Sequence, residues 1–111
     1  MSSTRPPYDP HQTTLSELSN LYANRAIAYH ALQAWPEGAA DAETSAELKK
    51  VGNGKAWWRR GRCLIEMGRW GEAREWVERW AEVGEEGERE QGVRELRREV
   101  EAWERKVAAG R

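Results

Sequence analysis

The sequence predicts an all-α chain of two stacked helical hairpins closed by a C-terminal capping helix. Three observations carry this. The first is an internal repeat offset by 35 residues: Leu21-Tyr22-Ala23-Asn24-Arg25-Ala26 aligns with Ala56-Trp57-Trp58-Arg59-Arg60-Gly61. In the same register Tyr29 aligns with Leu64, Trp35 with Trp70, Glu37 with Glu72 and Gly38 with Ala73. A period of this length marks stacked helical units, which bury a face only against each other and create a concave surface. The second is apolar spacing of three and four along nearly the whole chain. The third is a terminal amphipathic stripe, Val93, Leu96, Val100, Trp103 and Val107, suited to covering the open end of a stack.

The elements follow in order. Residues 1–13 hold Pro6, Pro7 and Pro10 among Ser, Thr and His, and predict an extended or disordered lead-in. A first helix begins at Thr14, with Leu15, Leu18, Tyr22, Ala26, Tyr29 and Leu32 on one stripe. Thr13 or Thr14 is its cap, with Glu17 near the capping-box position. It is expected to stop near Gln33-Ala34. Pro36 suits the first turn of a second helix running to about Lys49, with Ala39, Ala42, Ala46 and Leu48 inward. Gly52-Asn53-Gly54 closes that hairpin. A third helix over roughly Lys55–Met67 ends at Gly68. A fourth over roughly Gly71–Val83 turns Ala73, Trp76, Val77 and Trp80 inward. Gly84 and Gly87 mark a turn before a fifth helix over 88–108, in which Gly92 is an unfavourable helix residue. The organisation is a single domain over 14–108, with repeats at 19–52 and 54–87.

Composition narrows the function. Seven Trp and no Phe mean that Trp supplies much of the buried area. The net charge is −1, but unevenly spread: Lys49–Arg69 holds seven basic residues and one acidic, Glu72–Arg105 seven basic and twelve acidic. One surface should therefore favour anions. The lone Cys63 cannot form an internal disulfide, which fits a reducing compartment. With neither a signal peptide nor an apolar run near the ~20 residues that span a bilayer, the expectation is a soluble chain that reaches a membrane only through a partner. His11 and His30 stand alone, Val51-Gly52-Asn53-Gly54-Lys55 lacks phosphate-loop spacing, and no nucleophile–base arrangement stands out. Neither an enzyme nor a metal or other cofactor is expected.

The hairpins resemble tetratricopeptide repeats. The resemblance rests on small residues Ala26 and Gly61 at the helix crossings, aromatics Trp35 and Trp70 after each turn, and Gly38 and Ala73 where the second helix packs. It covers residues 19 to 84. Asn24, Lys55 and Arg59 further resemble three of the five positions of the dicarboxylate-clamp subclass. That subclass grips the C-terminal Glu-Glu-Val-Asp tail of cytosolic heat-shock chaperones. Arg5-Pro6-Pro7-Tyr8-Asp9-Pro10-His11, Asp41-Ala42-Glu43-Thr44-Ser45, Leu48-Lys49-Lys50-Val51-Gly52-Asn53 and Glu66-Met67-Gly68-Arg69 are similar to the small repeat subunit of the fungal Sec-type translocation complex at the endoplasmic reticulum. The similarity implies a receptor at the cytosolic face of that membrane. It would be held there by the membrane subunits of the complex, and would dock a chaperone carrying a precursor for post-translational import. In that family a further repeat precedes the Arg5–His11 segment and supplies the other two clamp positions, a Lys and an Asn. Without it, either the sequence is part of a longer product or the protein works with half a clamp.

Residue chemistry supports the same site. Lys55 and Arg59, four apart, leave one helix face together, and such like charges repel unless an anion or neighbouring Glu residues compensate. A peptide C-terminus offers its main-chain carboxylate beside an Asp side chain. Arg can meet a carboxylate bidentately, Lys as a point charge. Asn24 both donates and accepts. The alternative is an ordinary solvated basic face. Arg62 is either an auxiliary peptide contact or a partner of Glu66 at i+4. Arg25 and Arg60 should point away from the groove. Trp57 and Trp58 among basic residues raise nucleic-acid stacking, but Trp57 aligns with Tyr22 and should pack between hairpins, so no nucleic-acid partner is expected. The other functions weighed are a structural adaptor, in which a Trp-rich convex face holds a neighbouring subunit, and a generic chaperone co-factor.

Overall fold

A computed structural model describes residues 13–83 and 88–110. The expected lead-in over 1–12 and the turn at Gly84 and Gly87 lie outside the described residues. The five predicted helices are present and no strand occurs among the described residues: α1 (Leu15–Ala31), α2 (Trp35–Leu48), α3 (Gly54–Glu66), α4 (Trp70–Ala81) and α5 (Glu88–Ala109). Each bound lies within about two or three residues of its expectation. Helix α1 packs on α2 and touches α3; α2 packs on α3; α5 covers both α3 and α4.

The repeat is visible in the backbone itself. Ala34 N–H donates to Tyr29 O and Arg69 N–H to Leu64 O, both at 2.9 Å, 35 residues apart. These bonds close α1 and α3 in Schellman fashion, which needs a left-handed residue just past the helix. Gly68 supplies it at φ 71°, and its equivalent Gln33 adopts φ 59° despite its Cβ. Thr14 caps α1, its Oγ1 accepting from Glu17 N–H at 3.0 Å.

The core runs through α2–α5: Ala46, Ala56, Trp57, Leu64, Ile65, Ala73, Trp76, Val77, Trp80, Val93, Leu96 and Val100 are all buried. Trp57 stacks on Trp76 with ring centroids 4.3 Å apart, and its Nε1 donates to Lys50 O at 2.8 Å. Ala39, Ala42 and Ala46 face inward as expected. The stripe on α1 is a correction. Of Leu15, Leu18, Tyr22, Ala26, Tyr29 and Leu32, only Ala26 is buried, and Leu15 and Leu32 are 65% and 76% exposed. Helix α1 has neighbours on one side only, so a full apolar stripe has nothing to cover it. The stripe on α5 likewise fades past Trp103, which is half-buried against Trp70, to exposed Val107.

Asn53 joins the hairpins. Its Nδ2 lies within hydrogen-bond reach of the Ser45 and Lys49 carbonyls at 3.1 and 2.9 Å and of Ser19 Oγ at 3.3 Å. Ser19 and Ser45 are buried and bonded to each other.

Gly92 is explained by packing. A Cβ there would overlap Trp80 Cη2 and sit 3.0 Å from Cζ3, and Trp80 is itself buried with little room to retreat. Gly92→Ala should therefore destabilise the chain by about 1–2 kcal/mol in chemical denaturation, overriding the ~1 kcal/mol that Ala ordinarily gains over Gly in a helix. Gly71→Ala, where a Cβ meets nothing within 4 Å, should cause no loss.

Candidate functional site

Helices α1 and α3 are equivalent in the two repeats, so they lie side by side and wall one cleft of about 330 Å³. Three predicted residues converge on it: Asn24 from α1, and Lys55 and Arg59 from α3. Asn20, Ile27 and Asn53 complete much of the wall, and among the described residues no carboxylate lines it. Lys55 and Arg59 also border a second groove, between α3 and α5, with Trp58, Gly92 and Glu95. The basic pair thus lines both depressions.

The charge arrangement around α3 is selective. Arg60 pairs with Glu43 at 3.3 Å, and Arg69 with Glu72 at 2.6 Å. Arg62 bridges Glu66 at 3.1 Å and both Glu99 oxygens on α5. Lys55 and Arg59 have no carboxylate within ion-pair distance among the described residues. Of the basic residues on α3, these two cations are therefore the ones left for an external anion.

Arg62, weighed as an auxiliary contact or as a partner of Glu66, does not line the cleft. Its guanidinium is committed to Glu66, the alternative weighed for it, and to Glu99, which sequence spacing did not reveal because it lies 37 residues away. Arg25 and Arg60 point away from the cleft, as expected, and both reach α2. Arg25 grips Asp41 with bonds of 2.6 and 2.9 Å, and Arg60 also lies over Trp76.

Arg59 is half-buried. Burial lowers its pKa, with the Cys63 thiol opposing, yet a guanidinium keeps its proton in a protein. Its Nη1 lies 2.9 Å from His30 Nδ1, and its Cζ lies 5.5 Å from the Trp58 ring centroid. His30 is the site residue that sequence reasoning missed. No spacing marks it, because its partners come from another helix. Cys63 is fully buried and its pKa is raised, burial being the main cause; a buried thiol of this kind is inert. Among the described residues no group of three or more His, Cys, Asp or Glu is placed to hold a metal ion, and no helix is long and apolar enough to cross a membrane.

No protein-family model matches the chain, and no curated protein matches it.

Proposed function

We propose that this chain is a peptide-binding receptor module that takes an acidic C-terminal tail in the α1–α3 cleft. The observation that carries this is the pair Lys55 and Arg59. They line a cleft without a carboxylate among the described residues, beside Asn24, while the other basic side chains of α3 are already paired. A C-terminal Asp presents two carboxylates at short separation, which suits two cations one helical turn apart. The resemblance described above supports a heat-shock chaperone as the owner of the tail. It also supports precursor delivery to the endoplasmic reticulum translocation complex as the purpose, with membrane subunits of that complex holding the module at the cytosolic face.

Calorimetric titration with a peptide ending Glu-Glu-Val-Asp, beside the same peptide amidated at its C-terminus, tests the reading. The free acid should bind, and amidation should weaken it about tenfold or more, because a charge-assisted hydrogen bond is worth ~1.5–3 kcal/mol. Equal affinities, or no binding by the folded chain, would remove the clamp.

One observation favours a structural adaptor as the second reading. Leu15 and Leu21 of α1 and Leu32 just past its end are at least half exposed, apolar surface suited to a neighbouring subunit. Of the tryptophans, Trp57, Trp76 and Trp80 are buried, while Trp35, Trp58, Trp70 and Trp103 are half-buried.

A further inference from the structure

We infer that His30 is a positioning residue for the clamp: its neutral imidazole accepts a hydrogen bond from Arg59 and holds the guanidinium at the cleft without quenching its charge. The inference rests on reading the cleft as a carboxylate site. His30 stands on α1 and Arg59 on α3, so the 2.9 Å contact spans the two helices that wall the cleft.

The chemistry of the pair fixes the protonation state. A guanidinium has five N–H donors and no acceptor. Nδ1 of His30 must therefore carry the lone pair and Nε2 the hydrogen, since an imidazolium could not accept at all. The surroundings favour that form. The His30 pKa is lowered from its ordinary value, by burial first and then by Arg59 and Arg62, with Glu66 opposing. The ring is also fixed in place. It lies nearly parallel to Trp58 at 6.1 Å and edge-on to Trp35 at 5.1 Å.

What separates Arg59 from its neighbours is the kind of partner it has. Arg60 and Arg62 are held by carboxylates, which cancel their charge. A neutral imidazole occupies one of five donors and leaves the full positive charge facing the groove. A side chain that must meet an incoming anion needs to be held in this way, because a carboxylate in the place of His30 would compete with the ligand.

The test is titration of the full chain with the Glu-Glu-Val-Asp peptide at pH 7.5, comparing wild type, His30→Phe, His30→Gln, Arg59→Ala and the His30→Phe/Arg59→Ala double variant. Phe keeps a ring between the tryptophans but offers no acceptor; Gln keeps an acceptor. His30→Phe should weaken binding about 3–10-fold, His30→Gln less, and the double variant should bind no more weakly than Arg59→Ala alone. Wild-type affinity in a folded His30→Phe chain, or losses that add in the double variant, would overturn the inference while leaving the clamp intact. A wild type that binds no peptide would overturn both. Should His30→Phe fail to fold, NMR titration of the ring decides. The His30 pKa should rise in Arg59→Ala, and an unchanged value would overturn the pairing.

Discussion

Trp57→Ala is expected to unfold the chain, with a loss of about 3–5 kcal/mol read by chemical denaturation or by disappearance of the helical circular dichroism signal. Trp57 is fully buried. Its removal deletes the stack on Trp76 and the contact with Arg79, whose Cζ lies 5.5 Å from the Trp57 ring. It also removes the hydrogen bond from Nε1 to the Lys50 carbonyl. A domain of this size holds only about 5–15 kcal/mol in total, and Trp57 bridges the α2–α3 turn and the α4 layer. Trp103→Ala is the contrast. That ring stacks on Trp70 at the half-buried end of α5, and its truncation should leave the helices formed. If Trp57→Ala melted no earlier than Trp103→Ala, the core would be centred elsewhere.

Much of this architecture is legible in the sequence because the repeat states it twice. Wherever one copy is ambiguous the other constrains it. Gln33 would not by itself mark a left-handed helix end, but its equivalent Gly68 does, and both adopt that conformation. The convergence of Asn24 and Arg59 was readable for the same reason. Equivalent positions of stacked units line one surface. What was not legible depends on contacts across helices. Helical periodicity says which face of α1 is apolar but not whether anything covers it, so the exposure of Leu15 and Leu32 could be learned only from the assembled chain. By propensity alone Gly92 is a weakness in α5, and only the packing of Trp80 against it supplies the reason for a glycine. The pairing of Arg62 with Glu99 and the contact of His30 with Arg59 each join residues about thirty or more positions apart. No local spacing rule encodes them, and they decide which cations are left for a ligand.

That last distinction carries the other large prediction. Lys55→Glu or Arg59→Glu should each weaken binding of the Glu-Glu-Val-Asp peptide by about 10- to 100-fold, and the two together should abolish it. Each reversal removes a cation from a cleft that no carboxylate lines among the described residues and puts a repelling charge in its place. Folding should survive, because neither side chain has an ion pair to lose among the described residues. Lys55 is exposed, and a Glu at position 59 would face His30, which can become an imidazolium to meet it. Arg62→Glu would not make this comparison, since it breaks the bridge from α3 to Glu99 on α5 and so strikes at stability. Lys106→Glu does make it: the same change in net charge on the last turn of α5, remote from the cleft, should leave affinity unaltered. Raising ionic strength should weaken the wild-type complex, because the contacts are charged and open to solvent, and the salt dependence should shrink in both reversal variants. Binding that survives both reversals in a folded chain would place the peptide elsewhere and leave the exposed face of α1 as the surface that does the work.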